Sequence, residues 1–486
     1  MRWEKQAPQP QCLPDRPYYL CPRRFTCPPM AKPATINGQT MKKIPAPMTD
    51  RHSPLSYHDL LATWQQWMDE APDFPPLDQW LRKQAKRGEK LPFSQRQQLH
   101  DAMMQAMHFR QLADALEILF KDPEFDDWYN WDMIWSQNSL PKAIPQHFWY
   151  WIQLRSGENW QTPYQLSQQK ERRRHFIDCR TRVQQQEHPV LALLWYGIRP
   201  NWSTLIEDRA AASEWTPQAR THFVRSQPHR PPLWLRPANM IDDHQLTQLE
   251  QALQQDGVEA GLENGRLQAT GGSDIFYSQA FKNGELEVQD LASQMIAESL
   301  NPQPGDKIWD ACAGAGGKSL AMASVMQQKG SITATDINGR KLEELKRRSK
   351  RAGYRNIRSF EWDGDSPLRL PAEIKKQGGF DKVLVDAPCS SSGTWRRNPD
   401  ARWRTTDRRV DLHKLQQKLL QQAARGVRQD GLLAYATCSW FVDENEDQVK
   451  EFLKQNPDFT LLHQNLLGSP EVNSDTMFVA VMKRVS

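Results

Sequence analysis

The sequence predicts an α/β fold in which a doubly wound, mainly parallel sheet over residues 285–486 follows a small α+β module (226–284) and an all-α domain (48–225). Three observations predict it. From about residue 285, short apolar runs alternate with helical segments, the pattern of a parallel sheet covered by helices. A glycine-rich turn from Ala311 to Lys318 follows a strand and opens a helix. Upstream, from Met48 to about residue 225, apolar residues recur at helical spacing. The 486 residues exceed the ~100–200 of a single domain. With 38% hydrophobic and 25% charged residues the chain can build cores, which excludes global disorder.

Residues 1–47 hold eight Lys/Arg against two Asp/Glu and ten of the 34 prolines, without helical or strand period. They read as a disordered, Pro-rich basic arm. The whole chain carries only +5, so the modest charge outside the arm identifies no partner. Apolar runs are short, the longest being Leu191 to Ile198, against the ~18–20 residues a membrane span needs. No secretory signal is recognisable, and a cytoplasmic protein is expected. Seven scattered cysteines without paired spacing predict free thiols and no metal site.

In the helical domain, Leu60, Leu61, Trp64, Trp67 and Met68 share one face, and Leu99, Met103, Ala106 and Met107 another. Ser94 with Gln97 predicts a capping box for the second helix. Twelve of the 19 tryptophans fall here, and at helical spacing they read as core rather than as base-stacking surface. The run Arg172-Arg173-Arg174-His175 reads as a solvated helix face. In the small module, Leu233-Trp234-Leu235 predicts a strand, and Leu246, Leu249 and Leu253 the buried face of a helix stopped at Gly257. Turns at Asn264-Gly265 and Asn283-Gly284 bound further short strands.

The chemistry is expected in the last domain. Lys307 to Asp310 reads as its first strand, and the turn Cys312, Ala313, Gly314, Ala315, Gly316, Gly317, Lys318 supplies candidate ligand contacts. Glycines there let backbone N–H groups approach a ligand at a helix N-terminus. About 20 residues on, the strand from Ser331 ends in Asp336, where an acid can accept hydrogen bonds from ribose hydroxyls. Asp363 follows the third strand, within reach of an adenine amino group. The pattern points to a nucleoside ligand. Three readings of the turn compete: a phosphate-binding P-loop, a dinucleotide site, and a pocket for S-adenosylmethionine. The P-loop needs Gly where Cys312 stands and the three-glycine pattern fits poorly, whereas the third reading needs only the close turn and the ribose acid.

Two further strands deliver cysteines to the same edge. Phe380 to Val385 leads into Asp386-Ala387-Pro388-Cys389, and Leu432 to Ala436 into Thr437-Cys438-Ser439. A thiolate beside a methyl donor suits methylation at C5 of a pyrimidine, a carbon that becomes nucleophilic only after addition at C6. Asp386 can hold a proton at N3. Spacing does not decide which cysteine attacks. The base must be reached unstacked, and basic clusters at Arg340 to Arg358 and Arg396 to Arg409 are candidates to track phosphates.

Together, Asp386-Ala387-Pro388-Cys389-Ser390, Thr437-Cys438-Ser439 and Glu444-Asn445-Glu446 resemble the Sun/Fmu family of S-adenosylmethionine-dependent RNA cytosine-5 methyltransferases. The resemblance covers about residues 231–486, from Pro232-Leu233-Trp234-Leu235-Arg236 onward. It implies a Rossmann-type class I methyltransferase domain and an RNA partner, with ribosomal RNA the expected substrate. It also implies that Cys438 is the nucleophile, that Cys389 assists product release, and that Asp386 contacts the base and lies near the cofactor. Cofactor contacts are implied for Cys312 to Lys318, Asp336 and Asp363. The turn departs from the family's usual Cys-Ala-Ala-Pro-Gly-Gly-Lys, and Asp475-Thr476-Met477-Phe478 lacks the usual glycine. Two other classes stay open: a non-catalytic RNA-binding or ribosome-assembly protein, and a DNA cytosine methyltransferase attacking through Cys389.

Overall fold

In the computed structural model, the described residues are 54–70, 76–87, 91–138, 145–158, 160–270, 274–403 and 409–485. The basic arm expected over 1–47 lies outside them. Among the described residues no helix is long and apolar enough to cross a membrane.

The helical part is organised on one long helix, Phe93–Lys121. Its Met103, Ala106, Met107, Leu112 and Leu116 are buried against Trp64, Trp67, Trp80, Trp149 and Trp151, so the tryptophans are core. The expected cap at Ser94 is not used. The helix opens at Phe93 with Pro92 in the cap position and no side-chain cap, so Ser94 already lies in the first turn. Arg172 also departs from the solvated face expected of its run. It is buried and donates to both carboxylate oxygens of Glu117, at 3.0 and 3.2 Å. Glu117 also accepts from Trp151 Nε1 at 3.0 Å. A buried guanidinium requires such a partner.

Next comes a four-stranded antiparallel sheet in the order β2-β3-β1-β4, formed by β1 (Leu233–Pro237), β2 (Ala260–Glu263), β3 (Arg266–Ala269) and β4 (Leu286–Val288). Leu246, Leu249 and Leu253 of the helix Asp243–Gln255 cover it. The boundary expected at residue 284 falls inside this sheet, because β4 lies beyond it and pairs with β1, Leu235 opposite Val288. Asn283-Gly284 lies between a short helix, Gln279–Lys282, and β4, so it bounds a strand on one side only.

The second sheet has seven strands in the order β10-β11-β9-β8-β5-β6-β7. They are β5 (Lys307–Asp310), β6 (Ser331–Asp336), β7 (Ile357–Glu361), β8 (Phe380–Asp386), β9 (Val427–Thr437), β10 (Phe459–Gly468) and β11 (Thr476–Arg484). The pairs β5–β6, β6–β7, β5–β8 and β8–β9 are parallel, and β11 runs antiparallel to β9 and β10. Because side chains alternate along a strand, Val383 and Val385 enter one apolar core and Leu384 the other. Both faces are therefore buried, each fully buried side chain contributing about 1.5–3 kcal/mol, which explains the near-continuous apolar runs read as strands. Strand order reverses at β5, whose neighbours are β6 and β8. A ligand crevice opens at the carboxyl ends of the strands at such a point.

Candidate active site

Asp310, Asp336 and Asp386 are the last residues of β5, β6 and β8, so parallel pairing brings three acids to one edge. They line a hollow of about 470 Å³ together with the turn after β5 and both candidate cysteines, within the ~300–1,000 Å³ of small-molecule sites. The turn closes through Gly316, which precedes the helix Gly317–Val325 at φ +84°. A Cβ there would stand 2.5 Å from the Leu345 side chain, so only glycine fits. Asp336 braces the turn: its Oδ2 accepts from the Gly314 N–H at 2.9 Å and its Oδ1 from the Asn338 N–H at 2.8 Å. Asp310 Oδ2 accepts from Ser319 Oγ at 2.6 Å, while its Oδ1 is buried without a partner. Burial, with Asp386 and Asp336 adding repulsion, raises the Asp310 carboxyl to about 7.

At the β8 end of the hollow, Lys318 Nζ donates to Asp386 Oδ2 at 2.6 Å. Burial opposes the lysine's charge, but the aspartate outweighs it and its pKa is raised. Cys389 Sγ and Cys438 Sγ lie 3.3 Å apart as free thiols. The two are electrostatically unequal. The hydrogen bond from Cys389 lowers the pKa of Cys438, with Ser391 and Lys318 acting in the same direction against burial. The same contact and burial push Cys389 well up. Of the two, Cys438 is therefore the more readily ionised thiol and Cys389 the less. Cys312 also lines the hollow, but burial raises its thiol well above the ordinary value.

The segment Glu444-Asn445-Glu446 holds both cysteine-bearing loops. Glu444, fully buried, accepts from the Ser390 N–H at 2.8 Å. Asn445 Oδ1 accepts from Thr437 Oγ1 at 2.6 Å, and its Nδ2 donates to the Ser439 carbonyl at 2.9 Å. The Gly393 N–H donates to the Cys438 carbonyl at 2.9 Å.

Of the residues singled out in the sequence, the structure brings Cys312, Ala313, Gly314, Ala315, Gly317, Lys318, Asp336, Asp386, Cys389 and Cys438 to this hollow. Gly316 stands behind the turn, against Leu345. Asp363 does not line it; it is exposed, and its Oδ1 accepts from the N–H groups of Asp365 and Ser366, the role of a turn former. Ser293, Asp310, Lys341 and Ser391 line it without having been singled out. Asp310 carried a legible signal, an acid ending the first strand. Two residues of the cluster after Cys389 depart from the phosphate-tracking expectation: Arg397 pairs with Asp290 and Asp475, and Arg402 is buried on the Gly197 carbonyl. Arg404 and Arg408 lie outside the described residues.

Residues 297–482 match the family described as 16S rRNA methyltransferase RsmB/F. The "Probable ribosomal RNA small subunit methyltransferase B" of Synechocystis sp. is 39% identical over 203 residues, 41% of this chain and 44% of the relative. The "Ribosomal RNA small subunit methyltransferase B" of Salmonella heidelberg is 32% identical over 287 residues, 56% of this chain and 64% of the relative. The chain thus spans less than two thirds of the length of either. The crystal structure of PH0851 shares the fold with a TM-score of 0.56 at 24% identity, covering 82% of this chain and 93% of that one. The Rossmann-type sheet, its strand-end acids and these matches make residues 297–482 similar to the RsmB/F methyltransferases, the Sun/Fmu family that the motifs resemble.

Proposed function

We propose that this protein transfers a methyl group from S-adenosylmethionine to C5 of a cytosine in RNA, with small-subunit ribosomal RNA as substrate, through a covalent bond between Cys438 and C6. The observation that carries this reading is the unequal thiol pair, 3.3 Å apart, in the same hollow as the braced turn and Asp336.

The groups present fit the cofactor. Asp336 keeps acceptor capacity on both oxygens for ribose hydroxyls, and the orphaned, buried Asp310 Oδ1 suits an ammonium group. When bound, the cofactor supplies an electrophilic methyl group. The protein's residues do the rest. The Cys438 thiolate adds to C6, which makes C5 an enamine carbon. N3 takes a proton from solvent as the adduct forms and returns it when the adduct collapses. Asp386 accepts a hydrogen bond from the N3–H in between, and Lys318, bonded to its Oδ2, offsets the carboxylate's charge. With Cys438 bonded to carbon, the negative charge that holds Cys389 protonated is gone. Cys389 can then lose its proton to solvent in the open hollow and, as the thiolate, take the proton leaving C5. Expulsion of the Cys438 thiolate releases the product.

Incubating the protein with methyl-labelled S-adenosylmethionine and unmodified ribosomal RNA, transfer RNA or DNA, then digesting to nucleosides, tests the reading. Label in 5-methylcytidine from ribosomal RNA is the expected result. Label in DNA alone, or none with the cofactor bound, overturns it.

A further inference from the structure

A second hollow, of about 880 Å³, lies between the helix Pro217–Ser226 and the loops that close the carboxyl edge of the large sheet. Gln218, Thr221, His222 and Arg225 line one side; their spacing of three and four residues puts them on one helix face. Arg396 and Asn473 line the other side, and no Asp or Glu is among the lining residues. Arg225 is exposed, and among the described residues no carboxylate pairs with it. Arg396 is buried on neutral acceptors, the carbonyls of His229 and Ser474 and Asn473 Oδ1, at 2.8, 2.9 and 2.7 Å, so its charge is not neutralised by an ion pair.

Backbone links tie the wall of this hollow to the candidate active site. Arg396 is three residues beyond Gly393, whose N–H is bonded to the Cys438 carbonyl. Asn473 belongs to the turn before β11, and β11 pairs with the end of β9, Phe478 opposite Thr437. Both hollows therefore open at one edge of the sheet. A cationic, donor-rich and acid-free trough beside a site that must receive an unstacked base has the chemistry of a phosphodiester track.

We propose that this trough holds the phosphates of the RNA strand flanking the target cytosine, with Arg225 as its exposed cation; the inference rests on the function proposed above. The test is fluorescence anisotropy of a fluorescein-labelled single-stranded RNA oligonucleotide, titrated with the full chain over a series of salt concentrations. Arg225→Glu and His222→Glu should each weaken binding several-fold, and Arg225→Glu should lower the slope of log affinity against log salt by about 0.7. Lys454→Glu serves as a control. It makes the same charge change on the helix Glu446–Gln455, which leads into the start of β10 at the opposite edge of the sheet, and it should leave affinity unchanged. Parental affinity and slope in both trough variants overturn the proposal, as does an equal loss in Lys454→Glu. The substituted side chains are exposed, and matching thermal melts confirm that the fold survives. Because binding is read without methyl transfer, failure of the trough and failure of the proposed reaction are separate results.

Discussion

Arg209 and Glu446 form a two-pronged ion pair, Nη1 to Oε1 and Nη2 to Oε2 both at 2.7 Å, across 237 residues of sequence. The third prong, Nε, donates at 2.7 Å to the carbonyl of Trp440, two residues beyond Cys438. Arg209, in the helix Ser203–Ala212, is fully buried, so the helical part of the chain fixes the strand-end loop that carries the candidate nucleophile.

Arg209→Ala should therefore cost about 3 kcal/mol of stability, the scale for removing one partner of a buried pair, and lower kcat more than it raises KM for RNA. Arg209→Lys keeps the charge but not the fork, and should recover stability only in part. Denaturant melts and steady-state methyl transfer measure both effects.

The thiol assignment is tested with RNA carrying 5-fluorocytosine, which blocks proton loss from C5. Cys438→Ala should form no covalent protein–RNA complex on denaturing gels. Cys389→Ala should still form one, and with ordinary RNA it should accumulate the adduct because release is slowed. The reverse pattern would identify Cys389 as the attacking thiol.

Asp310 makes stability depend on pH. Burial raises its carboxyl from the ordinary 3.8 to about 7, so between these values the folded chain holds a proton that the unfolded chain has released. Its contribution is present at low pH and is lost as pH rises from about 4 to 7. Asp475, raised to about 7 by burial and by Asp290, acts with the same sign. In a melting-temperature series, Asp310→Asn should remove Asp310's share of this decline and leave that of Asp475. If Asp310 takes the cofactor's ammonium, calorimetry should find tighter cofactor binding as pH rises through about 7, a trend absent in the variant.

Gly393→Ala should be strongly destabilising. The added Cβ would lie 1.6 Å from the Thr476 carbonyl oxygen and 3.1 Å from that of Cys438. The loop must shift, at a cost of at least about 1–3 kcal/mol, and methyl transfer should fall with it. Urea unfolding compared with kcat checks whether the two move together.

Much of the site was legible because parallel strands put consecutive strand ends side by side. Asp336, Asp386, Cys389 and Cys438 each follow an apolar run in the sequence, and parallel pairing alone gathers them. What was not legible depended on partners distant in sequence. Arg172 read as a solvated charge because Glu117 lies 55 residues away. Arg397 read as a phosphate contact because Asp475 and Asp290 cannot be anticipated from local pattern. Asp363 is held by a local turn, its Oδ1 accepting from the N–H groups of Asp365 and Ser366. The cap at Ser94 failed by two residues, a shift that places Pro92 at the N-cap.

The ring of Trp202 stacks on that of Trp395 with centroids 4.6 Å apart, and Ile198, Ile206 and Phe223 join them in one core with Trp440 and Phe441. Four of those side chains come from the helical part and three from the two loops that leave β8 and β9. Excising the helices would strip the cover from three large aromatic side chains beside the thiols, so a fragment beginning near residue 226 should be sticky and poorly ordered at its reactive edge. The chain therefore does not consist of an autonomous enzyme with a detachable recognition arm. Changes in the helices can reach the chemistry by way of the shared aromatic core, and the two halves must vary in concert.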